Sequence, residues 1–271
     1  MRRFPYWIAL LGAAFGGLAG QEIPADRIVV SLARPDRGGT LIIQHDKGSI
    51  SVVGSEASAV TVEAFRRGLS SPEAGDPDAR GMKLIAGPPT GLRAVEADGT
   101  VTVTTDGRGQ TLDLVVKVPR DFSLKLSTVH NGRIDVENVS GEMEITNSNG
   151  DIRLEKVAGS AVLSTFDGRI TARFVEVTPG APMAFTSVYG RIDVAFPADA
   201  RMTVRMKSDN GLIYSDFGLK AEVPQTRRKG LTVPGGQSLS SRDWITARLN
   251  GGGPETLLKS FDGNIYLRKT K

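Results

Sequence analysis

The strongest constraint on the fold is a short motif that recurs along the chain, in which a glycine precedes isoleucine and an alternating strand pattern. Its seven copies are KGSISV, NGRIDV, NGDIRL, DGRITA, YGRIDV, NGLIYS and DGNIYL, with glycines at Gly48, Gly132, Gly150, Gly168, Gly190, Gly211 and Gly263. Gly132, Gly150 and Gly168 are 18 residues apart, and Gly141 and Gly159 fall midway between them. The repeated unit is therefore a short strand, a turn, a second short strand and a second turn.

The residues around each glycine predict turns followed by half-buried strands. Asn-Gly and Asp-Gly are typical of turns that need positive φ, and Ile134, Val136 and Val139 alternate after one of them. These dipeptides also mark two-residue hairpins, so an antiparallel meander or sandwich remains an alternative. The fixed period favours an all-β solenoid of stacked parallel coils, with about 18 residues in each unit.

A solenoid of this kind makes two structural predictions about the repeat. Its strands stack about 4.8 Å apart, and each rung buries its apolar face against the next rung. The expected internal ladder consists of Ile134, Ile152, Ile170, Ile192, Ile213 and Ile265. Hydroxyl residues before the turns are expected to bond the neighbouring backbone, at Ser127, Thr128, Ser164, Thr165, Thr186, Ser187 and Ser260.

The amino terminus has the pattern of a secretory signal. Arg2 and Arg3 precede an apolar stretch from Trp7 to Leu18, which ends in a small-x-small cleavage pattern. A retained membrane anchor is the alternative, although crossing a bilayer takes about 20 apolar residues. We expect a signal peptide at residues 1–19, a lead-in at 20–37 and the solenoid at 38–271.

Composition narrows the class of partner. Loss of Arg2 and Arg3 lowers the formal charge from +4 to +2, and no dense basic face supports nucleic-acid binding. The chain has no cysteine, which excludes disulfides and thiolate metal sites. We expect an exported protein of the periplasm, cell envelope or extracellular space, without stable membrane insertion once the leader is removed.

From about Gly38 onward the chain resembles the bacterial "putative adhesin" family of unknown function, DUF4097. The resemblance is carried by SLKLSTVHNGRIDVENVSG, EITNSNGDIRLEKVAG, GGTLIIQHDKGSISVVG and GGGPETLLKSFDGNIYLRK. It implies a single-stranded, right-handed β-helix or β-roll in the cell envelope. It implies no particular molecular activity, because the adhesin label is a fold-level inference.

Three segments depart from the repeat and are candidate positions for function. They are irregular loops near residues 66–91, 174–186 and 220–240, and all three contain proline and glycine or basic residues. The chain also stops directly after a repeat. Arg268, Lys269 and Lys271 there suggest charges that protect a terminal strand edge, or an edge that accepts a partner strand.

A polysaccharide-active enzyme is the catalytic alternative. It would need two convergent carboxylates, and the candidates are Asp135, Asp151, Asp167 and Asp193. Because they recur with the repeat, we interpret them as structural. His45 and His130 lack the partners of a metal or nucleophilic site, so we expect no catalytic residue, metal or cofactor.

Basic and aromatic residues near the turns are the candidate ligand surface. The residues after the turn glycines, Arg133, Asp151, Arg169 and Arg191, predict a surface charge ladder with opposite charges one rung apart. Alternatively, the arginines could bind carboxylate or phosphate, as could the loop triplet Arg227, Arg228 and Lys229. His130, Phe166, Tyr189 and Phe261 lie just before turns, where corner packing or sugar binding would explain them. The sequence predicts a non-enzymatic, adhesin-like binding or scaffolding module for an envelope glycan or an envelope protein.

Overall fold

The computed structural model describes residues 24–35, 37–67, 89–106, 109–130, 132–219 and 244–270, and these ranges contain strands and no helix. No span in them qualifies as a helix long and apolar enough to cross a membrane. The strands are β1 Asp26–Ser31, β2 Thr40–Lys47, β3 Ile50–Ser55, β4 Ala59–Arg66, β5 Arg93–Ala97, β6 Thr100–Thr104, β7 Leu112–Pro119, β8 Ser123–His130, β9 Ile134–Glu137, β10 Ser140–Asn149, β11 Ile152–Asp167, β12 Ile170–Val177, β13 Met183–Tyr189, β14 Ile192–Phe196, β15 Met202–Ser208, β16 Ile213–Ser215, β17 Ile245–Leu249, β18 Glu255–Asp262 and β19 Ile265–Lys269.

Each rung has two strands joined at a turn glycine, and the rungs stack into two facing layers. The front sheet has the order β5-β6-β2-β8-β10-β11-β13-β18-β15-β17. The back sheet has the order β1-β4-β7-β3-β9-β11-β12-β14-β19-β16. The long strand β11 belongs to both, because its first half pairs in the back sheet and its second half in the front sheet.

The prediction of an all-β solenoid with parallel stacking is confirmed. Ile152 lies in register with Ile134 on one side and Ile170 on the other, and both pairings are parallel. The antiparallel meander is therefore wrong for the repeat. Antiparallel pairing occurs at the ends of the stack, where β1, β4, β5 and β17 flank the parallel rungs.

The predicted isoleucine ladder is present. It runs through Ile50, Ile134, Ile152, Ile170, Ile192, Ile265 and Ile213 in stacking order. All except Ile213 are buried in one continuous apolar core. Complete burial of one such side chain contributes about 1.5–3 kcal/mol, so the ladder stabilises the stack. Because the ladder follows the repeat, the interval of the repeat determines which residues form the core.

The rungs at both ends do not stack in chain order. The rung of β2 and β3 inserts between β6/β7 and β8/β9, although only residues 120–122 separate β7 from β8 in the chain. Likewise, the last rung, β18 and β19, inserts between β13/β14 and β15/β16. At each end, therefore, two rungs that follow each other in the chain are separated in the stack by a rung from another part of the sequence.

This order corrects the expectation of a strand edge at the carboxyl end. β19 pairs with β14 on one side and β16 on the other, so it is an interior strand. Its charges have other roles: Arg268 Nε lies 3.0 Å from Asp193, and Lys269 lies over the ring of Phe217. Lys271 lies outside the described residues.

The irregular segments differ in how far they depart from the stack. Strand β12 extends to Val177, so the turn before β13 is confined to residues 178–182. Part of the long interval after Gly211 forms β17, which pairs antiparallel with β15. Strand β1 lies within the lead-in and pairs with β4. Most of the segments 66–91 and 220–240 lies outside the described residues.

Candidate binding surface

The turn glycines stack in one column, where the backbones of neighbouring rungs approach too closely for any side chain. A Cβ on Gly150 would overlap the carbonyl oxygen of Gly132, and one on Gly168 would overlap that of Gly150. The same overlap recurs along the stack through Gly190, Gly263 and Gly211. At Gly168 the backbone is outside the left-handed region, so close packing rather than positive φ requires glycine there.

A buried polar side chain supports each step of this glycine column. The donors bond glycine carbonyls of the neighbouring rung in the pairs Thr128 to Gly48, Asn147 to Gly132, Thr165 to Gly150, Ser187 to Gly168, Ser260 to Gly190 and Ser208 to Gly263, at 2.8–3.2 Å. The prediction that hydroxyl residues bond the backbone at the corner is confirmed for those that point inward. These side chains point into the stack and have a structural role.

His45 occupies the same inward position in the rung of β2 and β3. Its Nε2 donates to the carbonyl oxygen of Leu112 at 2.7 Å, and its Nδ1 lies 3.0 Å from Thr105 Oγ1. Burial lowers the pKa of the imidazole below its ordinary value, although the Leu112 carbonyl and the charge of Asp113 oppose this effect. His45 is thus a structural donor, and exposed His130 lies 3.3 Å from Asp46.

The predicted arginine strip is mostly neutralised by neighbouring carboxylates. Arg133 Nε lies 2.7 Å from Asp135, and Arg169 lies 3.1 Å from Asp151. Asp151 also accepts a hydrogen bond from the backbone N–H of Arg169 at 2.8 Å, so the alternation of charge supports the corner backbone. Exposed Arg191 has no ion-pair partner in the described part of the chain. The triplet at 227–229 lies outside the described residues.

The four carboxylates considered for catalysis do not form a pair of free acids. Asp135 and Asp151 bond the arginines of the strip, and buried Asp193 lies between Arg173 at 2.9 Å and Arg268 at 3.0 Å. The hydrogen bond that Arg268 donates to Asp193 raises the pKa of Arg268 above its ordinary value. Asp167 is exposed. Within the described ranges, no three histidine or acidic residues cluster as metal ligands.

An open groove of about 740 Å³ lies on the back sheet beside the glycine column. Arg67, Arg133 and Asp113 line it, and Arg67 bonds both Asp113 and the hydroxyl of Ser49 at 2.9 Å. Its charged groups therefore bond one another. The outer face of the back sheet has the same character, since Arg153 pairs with Glu155 at 3.2 Å and Lys156 with Glu137 at 3.1 Å.

The outer face of the front sheet has a different character in its middle rungs. Here β11, β13 and β18 lie side by side, with Val162, Ala184 and Leu257 in one register row and Ser164, Thr186 and Lys259 in the next. The third row has Phe166, Val188 and Phe261, with Tyr189 beside it. We call these ten outward residues the platform. Charged pairs lie to either side of it, namely Lys125 with Glu144 and Arg205 with Glu255.

Three aromatic rings make contact across the platform and stay open to solvent. Tyr189 meets Phe166 edge-to-face at 5.5 Å between ring centroids and meets Phe261 in the same way at 6.3 Å. The exposed fractions are 56% for Phe166, 46% for Tyr189 and 47% for Phe261, and Val162 is 49% exposed. The rings pack on one another along the surface, and their remaining area forms a contiguous apolar patch of the type found at interaction sites.

A family comparison assigns the chain. The model of the Toastrack family, DUF4097, matches residues 25–237, which is most of the chain. The chain belongs to the Toastrack family. The resemblance predicted from the repeat is therefore confirmed, and a comparison with curated proteins finds no match.

Solved structures similar to this Toastrack chain are distant from it in sequence. A putative cell adhesion protein from Clostridium sporogenes ATCC 15579 is 9% identical, with a TM-score of 0.41 over 91% of this chain and 100% of that one. A putative adhesin from Bacteroides fragilis NCTC 9343 is 10% identical, with a TM-score of 0.31 over 89% and 96%. A third, a putative adhesin from Parabacteroides distasonis ATCC 8503, is 8% identical, with a TM-score of 0.28 over 90% and 96%.

Proposed function

We propose that this Toastrack chain is an exported, non-enzymatic binding module of the cell envelope, and that its ligand is an envelope glycan bound on the platform. The observation that carries the proposal is the cluster of three exposed rings formed by Phe166, Tyr189 and Phe261. A solenoid needs apolar side chains inside the stack, where the rungs bury them. Three contacting rings on the outer face add nothing to that core.

The chemistry of the platform suits a sugar better than a buried protein interface. Hydroxyl side chains of Ser164 and Thr186 lie beside the rings and bond each other at 3.2 Å. Aromatic rings bring a flat apolar face, while the hydroxyls and Lys259 supply hydrogen-bonding groups around it. Sugar rings present the same combination of apolar faces and hydroxyl edges. A strand face that is flat over three rungs can therefore accept an extended glycan chain.

The non-enzymatic part of the proposal is supported by the carboxylates. Glycoside hydrolysis uses two acidic groups on either side of the scissile bond. Three of the four candidates, Asp135, Asp151 and Asp193, bond arginine and lie on the back sheet or the corner, whereas Asp167 lies in register with Tyr189 of the platform. A polysaccharide-active enzyme is the alternative, and it would release soluble sugar from the ligand that the platform binds.

The export part of the proposal is supported by the basic and apolar residues of the first 19 positions. Mass spectrometry of the protein recovered from the envelope of its native cells tests it. We expect a chain that starts at Gly20 or Gln21. An intact Met1 in the envelope would show that the leader is retained as an anchor. Recovery from the cytosol would contradict export.

The ligand is tested by co-sedimentation of the purified mature protein with insoluble envelope polysaccharide. We compare the wild type with the triple variant Phe166→Ser, Tyr189→Ser and Phe261→Ser. Because all three rings are exposed, the fold should tolerate the change, and circular dichroism checks this. Tyr214→Ser is the matched control, since Tyr214 is 47% exposed on the back sheet, away from the platform.

We expect the wild type and the Tyr214 variant to sediment, and the triple variant to lose at least about tenfold in affinity, the equivalent of about 1.4 kcal/mol. Equal sedimentation of the triple variant would remove the platform from the binding site. If the wild type does not sediment and crosslinks to one envelope protein, the ligand is a protein and not a glycan. Release of reducing sugar would contradict the non-enzymatic proposal.

A further inference from the structure

Among the ten residues of the platform, Lys259 is the charged one. Lys259 is exposed in the middle row, and within the described ranges it has no ion pair or hydrogen bond through its ammonium group. The residues before and after it on the outer face are Leu257 and Phe261, which are apolar. On the outer face of β18, therefore, neither neighbour of Lys259 is acidic.

The neighbouring rung makes this charge more unfavourable. Lys207 of β15 lies in direct register with Lys259 of β18, so two like charges face each other across adjacent parallel strands. Like charges in this arrangement destabilise a sheet. Lys207 bonds Asp209, the residue directly after β15, at 3.0 Å, whereas Lys259 has no ion pair in the described part of the chain.

Two other cations on the same face are compensated. Lys125 pairs with Glu144 of the adjacent rung at 3.0 Å, and Arg205 pairs with Glu255 at 3.3 Å. Lys259, which has no such ion pair among the described residues, therefore lies beside the exposed rings.

From this coincidence we infer that the glycan bound by the platform is acidic, and that Lys259 binds the carboxylate of a uronic acid residue stacked on the adjacent ring of Phe261. This inference rests on the proposed glycan-binding function and adds the class of glycan. Lys259 and Phe261 are two positions apart on the strand, a rise of about 7 Å, so a sugar ring on Phe261 can direct an exocyclic carboxylate to the lysine.

Two exposed carboxylates at the corner agree with this orientation. Asp167 and Asp262 flank Tyr189 in register, one residue closer to the glycine column than the rings of Phe166 and Phe261. The rings therefore lie between the acidic corner and the lysine. Repulsion from the two aspartates directs the anionic edge of the sugar toward Lys259, and the hydroxyl edge toward the corner, where carboxylates accept hydrogen bonds.

Affinity measurements on uronate polymers test the inference. The probes are polygalacturonate and alginate, each as the free acid and as its methyl ester, which keeps the sugar ring and removes the charge. The proteins are the mature wild type, Lys259→Gln and the control Lys125→Gln, which loses the same charge at a paired position of the same face. Thermal unfolding verifies that both variants fold.

We expect the wild type to bind at least one free acid at least tenfold more tightly than its ester. Lys259→Gln should abolish this preference and leave ester binding unchanged, and Lys125→Gln should retain it. If acid and ester bind equally and Lys259→Gln has no effect, the inference fails while glycan binding by the platform stands. If no polymer binds, and the triple ring variant behaves as wild type on envelope polysaccharide as well, both fail. Binding of polyphosphate as tight as that of the uronates, independent of the rings, would show a general polyanion surface and overturn the inference.

Discussion

At the scale of single residues, glycine is required at the corner because of contact between rungs. Replacement of Gly168 by alanine should separate this effect from backbone conformation, since its φ is outside the left-handed region while its Cβ would overlap the carbonyl of Gly150. We expect Gly168→Ala to lower the free energy of unfolding by at least about 2 kcal/mol. Urea unfolding measures it.

Gly218→Ala is the control for that substitution. Gly218 is exposed and has open space where a Cβ would lie, so its free energy of unfolding should change by less than about 0.5 kcal/mol. Equal effects of the two substitutions would contradict the role of close packing at the corner.

His45 should make stability depend on pH. Burial lowers its pKa in the folded protein below the ordinary 6.5, so the unfolded chain takes up a proton first as the pH falls. The stabilisation is therefore complete above about pH 6.5 and decreases below it. The charges of Asp113 and Asp46 oppose the shift and reduce its size.

The variant His45→Asn isolates this contribution. Asparagine already performs the same task at Asn147, whose Nδ2 donates to Gly132 at 3.0 Å. We expect urea midpoints of the wild type to decrease from pH 7 to pH 5 more than those of the variant. Parallel pH profiles would mean that His45 is not the titrating group.

At the scale of strands, the position of β19 in the stack determines its protection. It pairs on both sides, whereas β16 pairs with β19 alone among the described strands. Amide hydrogen exchange should therefore be slow in residues 265–269, similar to β14, and at least about tenfold faster in residues 213–215. Fast exchange throughout the last strand would restore a terminal edge at the carboxyl end.

The repeat allowed prediction of pairing only where neighbouring rungs follow each other in the chain. Between Gly132 and Gly168 the constant interval places Ile134, Ile152 and Ile170 in register, as observed. At the ends, every rung has the same inward pattern, so no local signal determines which rung is the neighbour. Ile265 could stack on Ile213 or between it and Ile192, and tertiary pairing alone decides.

The same dependence on tertiary pairing explains which part of the candidate surface the sequence predicts. Sequence reasoning selected Phe166, Tyr189 and Phe261 one by one, because each precedes a turn. It did not identify the platform, since that requires β18 to lie beside β13, about 70 residues earlier in the chain. The arginine column predicted opposite charges one rung apart, as Arg169 and Asp151 show, whereas the pairing of Arg133 with Asp135 on its own rung depends on side-chain geometry.

At the scale of the whole molecule, the interleaved order links the ends of the chain to the interior of the stack. In a solenoid stacked in chain order, deletion of the last rung removes only that rung. Here β15 pairs with β17 and β18, and β16 pairs with β19. All of these partners belong to residues 244–271, so loss of that segment leaves β15 and β16 without neighbours.

Truncation of the mature protein after residue 243 should therefore disrupt two rungs. We expect limited proteolysis to cut within residues 202–215 of the truncated chain while the full-length chain resists cleavage there, because strands without pairing partners open readily. Addition of a synthetic peptide of residues 244–271 should restore protection if the vacant rung accepts it. Continued resistance of 202–215 after truncation would mean that β15 and β16 move by one rung and pair directly with β13 and β14, and the interleaved order would then not be required for the fold.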